Sequence, residues 1–298
     1  MTERSLNINL KPLLKKLEIV TKQTTRGAGG IQGEFRSYFK GIGLEFADYR
    51  VYTPADDASK IDWKASLRAG ETLIKEYMEG RNLNVFFVID VSDSMITGTA
   101  EKLKCEYAAE VAANIAFASL ESQNNVGYIM FSDTVKAFKM PKRGNQQLFL
   151  LSKDISNPYL YGGRNNFDDP IKFIMRALPQ GSMLILISDF LSLSKSWEEA
   201  MQLLSQKFDL ICIMIRDRID YELPGKGEII VSDINTGQQM LIDTSQVRSR
   251  YHTDSESYLA HVKSVISKSK GDLLVLETHE PFNQKIRRFF IERQARWR

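Results

Sequence analysis

Three short runs, Val85–Ile89, Met183–Ile187 and Leu210–Ile215, consist almost wholly of Val, Ile, Leu, Met and Phe, and each is bounded by polar residues. They are far shorter than the roughly 18–20 apolar residues a membrane helix requires. They also lack the polar alternation of a half-exposed strand, so they read as strands of a parallel sheet buried on both faces. Such strands need helices above and below, and the intervening stretches supply them. Glu101–Ser122 carries Leu103, Tyr107, Ala108, Val111, Ile115 and Ala118 at helical spacing, and further helices are expected near Gln146–Ile155, Phe167–Leu178 and Trp197–Gln206. Val126–Phe131 and Val135–Met140 read as two strands around Ser132-Asp133. The series β-α-β-β-α-α-β-α-β predicts a doubly wound, mainly parallel α/β sheet with one antiparallel edge strand.

Beyond Arg218 the pattern changes. Gly227–Val231 and Gln238–Ile242 flank the turn-rich Asp233–Gly237 and predict a β-hairpin. A helix over Ser255–Ser267, a strand at Leu273–Glu277 and a helix over Pro281–Arg293 then resume the alternation. The expected organisation is an N-terminal extension over 1–83, an α/β core over 84–217, an inserted hairpin arm over 218–250, and a helix-strand-helix completing the core over 251–298. Within the extension, glycine-rich Thr24–Gly43 reads as loop, turn and edge strand.

A chain of 298 residues with 43% hydrophobic content has enough apolar mass for a full core. Its net charge of +3 gives no basis for sequence-independent attraction to nucleic-acid phosphates. Cys105 and Cys212 are too few for a disulfide framework and read as buried free thiols. Met1–Leu10 lacks the basic, apolar, small-residue order of a secretory signal, so a cytoplasmic location without a membrane span is expected.

In an open α/β sheet, ligands bind beyond the carboxyl ends of the strands. After the first strand comes Asp90-Val91-Ser92-Asp93-Ser94-Met95, where a carboxylate and two hydroxyls at every second residue can converge. Hard oxygen donors of this kind suit Mg2+ or Mn2+. Ser and Asp in this pattern also suit a helix N-cap cluster. A second oxygen-rich loop, Tyr161–Asn166, precedes the helix near Phe167, and the strand at Met183 ends in Asp189. Three strand-end loops can thus supply one octahedral site.

Asp-x-Ser-x-Ser, a Gly-Gly loop and a strand-terminal Asp together resemble the metal-ion-dependent adhesion site of von Willebrand factor A-type domains. The resemblance implies that Asp90, Ser92 and Ser94 hold the ion, that Asp189 acts directly or through water, and that the second-loop ligand falls on Asn165, where that family usually has threonine. It also implies a protein-binding role, with an acidic side chain of a partner completing the coordination.

Upstream, Arg50-Val51-Tyr52-Thr53-Pro54-Ala55-Asp56-Asp57 followed by Ile61-Asp62-Trp63 is similar to the signature of the domain-of-unknown-function family numbered fifty-eight. Ala55 and Ser59 stand where that pattern has Gly and Arg. Asp56, Asp57 and Asp62 beside Trp63 are open to three readings: an acidic surface, a second cation site, or a salt-bridged turn. The resemblance implies an association with AAA+ ATPases of the MoxR type, as adaptor or co-chaperone in the maturation of protein complexes. No phosphate-binding loop ending in Lys-Ser/Thr occurs in the chain, so nucleotide hydrolysis is assigned to the partner.

Two other readings compete. An Mg2+-dependent phosphate-ester hydrolase would use the same site with Asp90 or Asp93 as base, yet such sites recruit a Lys or Arg clamp, and only Arg164 is near in the motif. A nucleic-acid binder would use Lys285, Arg287, Arg288, Arg293, Arg296 and Arg298; the interleaved Ile and Phe instead predict an amphipathic helix docked by its apolar face. His252, His261 and His279 have no partner at ligand spacing and are read as surface or cap residues. A protein-binding, non-enzymatic role is expected.

Overall fold

In the computed structural model, which describes residues 6–8, 44–53, 56–79, 83–191, 193, 196–225, 227–232 and 239–296, the three apolar runs are neighbouring strands of one sheet. The described strands are β1 (Leu44–Val51), β2 (Leu73–Glu79), β3 (Asn84–Asp90), β4 (Asn125–Phe131), β5 (Val135–Lys142), β6 (Met183–Ser188), β7 (Asp209–Arg216), β8 (Glu228–Ser232), β9 (Gln239–Asp243) and β10 (Asp272–Glu277). The described helices are α1 (Trp63–Ala69), α2 (Lys104–Glu121), α3 (Asn145–Ile155), α4 (Asp168–Ala177), α5 (Trp197–Lys207), α6 (Thr244–Lys268) and α7 (Phe282–Arg296).

The central sheet has six strands in the order β10-β7-β6-β3-β4-β5, parallel throughout except for β5, which runs antiparallel to β4 at one edge. This is the mainly parallel sheet with one antiparallel edge strand predicted from the apolar runs. Because alternate residues of a strand face opposite sides, Val85, Phe87 and Ile89 of β3 pack with α2, α3 and α7, while Phe86 and Val88 pack with α4, α5 and α6. Helix α2 lies across β3, β4, β6 and β7, and its small buried residues Ala108, Ala109, Ala112 and Ala113 permit a close approach.

The edge pairing depends on Gly127. A Cβ there would meet Pro141 N at 2.6 Å and Lys139 O at 2.8 Å, both backbone atoms, at the point where the β4–β5 register shifts.

Several sequence-based expectations need correction. Helix α2 begins at Lys104, three residues after Glu101, because Glu106 reaches back to accept from Leu103 N–H at 2.9 Å. Helix α6 begins at Thr244, well before Ser255 and inside the stretch read as the arm, because Asp243 caps it by accepting from Ser245 N–H. Its first turns are mostly exposed, so they carry no apolar stripe to read. In the N-terminal stretch, β1 and β2 form a separate antiparallel two-stranded sheet, with α1 between them in sequence. The predicted hairpin is present as β8 and β9; its turn Asp233–Gly237, and the glycine-rich Thr24–Gly43, lie outside the described residues. Helix α7 docks through Ile286 and Phe290, and its Arg293 is committed to Asp209 and Asp272. Both cysteines are buried free thiols. Among the described residues, no helix is long and apolar enough to cross a membrane.

Candidate metal centre at the carboxyl edge of the sheet

Asp90 is the last residue of β3 and is fully buried. Its Oδ1 accepts from Ser92 N–H at 2.9 Å, which turns the chain off the sheet and directs Ser92 and Ser94 back over the strand end. The Ser92 and Ser94 hydroxyls lie 3.2 Å apart, and Ser94 donates to Asp189 Oδ1 at 3.1 Å. Ser92 makes no side-chain capping bond to the 3-10 turn Asp93–Ile96 that follows it. The helix N-cap alternative therefore does not account for Ser92.

The Gly-Gly loop lies directly on this turn. Gly162 donates to Val91 O at 2.7 Å, Gly163 donates to Asp93 Oδ1 at 3.1 Å, and Asp93 N–H donates back to Gly163 O at 2.9 Å. Gly163 has φ +102°, and a Cβ there would sit 2.8 Å from the Ser132 hydroxyl, so both conformation and space demand glycine. Two residues on, Asn165 donates from Nδ2 to Asp90 Oδ2 at 2.9 Å and to Leu191 O at 3.2 Å, leaving its buried Oδ1 without a hydrogen-bond partner.

Asp90, Ser92, Ser94, Asn165 and Asp189 are thus brought together. Burial, then the charge of Asp189, pushes the Asp90 carboxyl up to about 6, against hydrogen bonds from Ser188 and Ser92. This is an acidic, oxygen-lined centre. Its converging oxygens, from two carboxylates and two hydroxyls, fit a hard divalent cation.

The other acidic motif lies in the N-terminal stretch. Arg50 clamps both oxygens of Asp56 at 2.8 and 3.0 Å, and this hydrogen-bonded guanidinium, helped by Thr53, holds the carboxyl well below the usual carboxylate range. Asp57 caps a short 3-10 turn, while Asp62 caps α1 and accepts from the Tyr49 hydroxyl at 3.1 Å. Trp63 is 67% exposed. Arg50 and Asp56 thus form a salt-bridged turn.

Three residues of the centre were missed. Ser188 donates to Asp90 Oδ2 at 2.6 Å. Lys104, only 1% exposed, donates from Nζ to Asp189 Oδ2 at 2.7 Å and to Asp220 Oδ1 at 3.1 Å. Burial works against its charge, but Asp189 and Asp220 outweigh it and hold the ammonium above its ordinary pKa. Asp220 follows β7, so the strand-end rule applied to that strand would have found it. Nothing marks Lys104 in the sequence: beside Glu101 and Lys102 it reads as one more solvated residue of a helix start.

Asp217 joins the surrounding loops. It accepts from Thr99 N–H at 3.0 Å, Ile219 N–H at 3.1 Å and the Thr278 hydroxyl at 2.6 Å, linking the ends of β7 and β10 to the loop after β3.

The doubly wound sheet thus carries an acidic, serine-lined loop cluster at its carboxyl edge. Residues 48–260 match the family described as Protein of unknown function DUF58, and the chain belongs to that family. An uncharacterised protein of Mycobacterium tuberculosis is 26% identical over 289 residues, covering 96% of this chain and 90% of the relative. Among solved structures, the conserved hypothetical protein BatB from Bacteroides thetaiotaomicron is 16% identical with a TM-score of 0.49, covering 72% of this chain and 100% of BatB. A von Willebrand factor type A protein from Catenulispora acidiphila is 13% identical with a TM-score of 0.29, covering 46% of this chain and 34% of that protein. Neither likeness bears on function.

Proposed function

We propose that the chain is a metal-ion-dependent protein-binding module that acts with a MoxR-type AAA+ ATPase as adaptor or co-chaperone. The observation that supports this reading is the convergence of Asp90, Ser92, Ser94 and Asp189, linked by contacts of 2.9–3.2 Å, beside the unpartnered Oδ1 of Asn165. Asp90, Ser92 and Ser94 would hold Mg2+ or Mn2+, with Asp189 in support. A bound cation supplies an open coordination position for an acidic side chain of a partner. Ser94 is the half-buried member of the set, so it marks the side from which a partner arrives.

Asn165 presents its donor end to Asp90. A half-turn of the carboxamide exchanges Nδ2 and Oδ1, and positive charge beside Asp90 favours the exchanged orientation because it meets the acceptor oxygen. The ATPase partnership rests on the family resemblance.

The phosphate-ester hydrolase alternative needs a cationic group facing substrate. The lysine nearest the centre, Lys104, is buried and committed to Asp189 and Asp220, which leaves exposed Arg164 of the Gly-Gly loop as the cationic group such a reaction would use.

The test is a pull-down of a purified MoxR-type ATPase with wild type and Asp90→Ala, each in Mg2+ and in chelator, with melting curves for both baits. Retention by wild type in Mg2+ alone supports the proposal. Equal retention in all four conditions overturns the metal-bridged reading. Mg2+-dependent turnover of a phosphate ester by the purified chain, lost in Asp90→Ala, would establish the hydrolase instead.

A further inference from the structure

Lys104 is the first residue of α2. A cation there meets the positive end of the helix dipole, and burying an ammonium costs several kcal/mol unless it is well paired. Local forces therefore oppose a buried lysine at this position, and two carboxylates hold it there. One is Asp189, from the β6 loop; the other is Asp220, from the β7 loop.

The two oxygens of Asp189 are divided between different tasks. Oδ1 accepts from Ser94 and from Leu191 N–H at 3.0 Å, facing the hydroxyl cluster, whereas Oδ2 takes the Lys104 ammonium. The lysine thus stands behind the carboxylate, outside the cluster of candidate cation donors. A cation among the serines would not need to displace it, yet would feel its charge at close range through one shared carboxylate.

We propose that Lys104 is a built-in counter-charge that sets the cation affinity of this centre: it cancels part of the carboxylate charge, so a divalent ion is held weakly until an acidic group of a partner completes the site. The proposal rests on the metal-centre reading above. It makes ion binding and partner binding interdependent, since each supplies charge the other needs. A purely structural lysine predicts the opposite effect of its removal, namely loss of order and of ion binding together.

Isothermal titration with Mg2+ alone, then Mn2+ alone, on wild type, Asp90→Ala, Lys104→Met and the double variant Lys104→Met/Asp220→Asn tests this. The double variant removes the second carboxylate stranded by loss of the lysine, which guards against misfolding of the single variant. The expected result is at least about tenfold tighter ion binding in Lys104→Met than in wild type, as a unit charge removed within a few ångströms of a divalent ion requires, and a smaller gain in the double variant, which also loses the negative charge of Asp220 on the far side of the lysine. Binding by Lys104→Met where wild type shows none would support the proposal equally. Asp90-dependent binding by wild type with unchanged or weaker binding in the folded Lys104 variants would overturn the counter-charge role and leave the metal centre standing. Absence of binding in every protein would overturn both.

Discussion

Asn165 donates from Nδ2 to Asp90 Oδ2. Asn165→Asp would set a second carboxylate about where that donor is, next to Asp90. Like charges at this separation repel, so the variant should melt several degrees lower in chelator, roughly the shift that 1–2 kcal/mol produces in a protein of this size. Added Mg2+ should restore most of the loss; melting in chelator and in Mg2+ is the check. Asp217 makes a second residue-level prediction. Burial pushes its carboxyl up, but hydrogen bonds from Thr278, Thr99 and Ile219 outweigh burial and leave it below the ordinary value. Its folded pKa is therefore depressed, so its stabilising contribution is fully present above the unfolded carboxylate value near ~3.9 and is lost as pH falls through the lower folded value. Thr278→Val should cost about 1.5–3 kcal/mol at pH 7 and less at pH 2, read from urea unfolding at the two pH values.

At the scale of elements, the backbone makes the sharper predictions. Gly127→Ala drives a Cβ into the β5 backbone, which cannot step aside as a flexible side chain can. A loss of about 1–3 kcal/mol in urea unfolding is expected, with fastest amide exchange gained along β5. Helix α6 divides at its middle: Leu259, Val262, Val265 and Ile266 are buried, while the turns before Ser255 are mostly exposed. Amides in 246–254 should exchange faster than those in 259–266; equal protection would contradict this division. The same contrast explains what was legible in the sequence. The buried strands β3, β6 and β7 announce themselves because both faces are apolar, and β5 through its place after Ser132-Asp133. The early turns of α6 have no apolar face, and α2 starts late because a glutamate reaches back to the backbone, a choice that periodicity does not encode.

For the whole molecule, the sheet brings together residues far apart in the chain. Asp90 ends β3 and Asp189 follows β6, neighbouring strands whose carboxyl ends lie side by side, while Asn165 comes from the loop before α4, held there by bonds from Gly162 to Val91 and from Gly163 to Asp93. Their oxygen chemistry and strand-end positions were readable because the rule of ligands at the carboxyl edge needs only the strand ends. Lys104 was not, since its partners lie 85 and 116 residues away and only the folded sheet reveals that it is buried between them. Beside the N-terminal two-stranded sheet, Arg50 pairs with Asp56 and Asp62 caps α1. The proposed metal centre thus lies at one edge of the six-stranded sheet. The most direct measurement of that claim is Mn2+ binding followed by the EPR signal of the free ion, on wild type and Asp90→Ala, with melting curves to show that both are folded. One Mn2+ per wild-type chain, displaced by Mg2+ and lost in folded Asp90→Ala, is the expected result. No binding to wild type, or equal binding to both proteins, would contradict a metal centre at Asp90, Ser92 and Ser94.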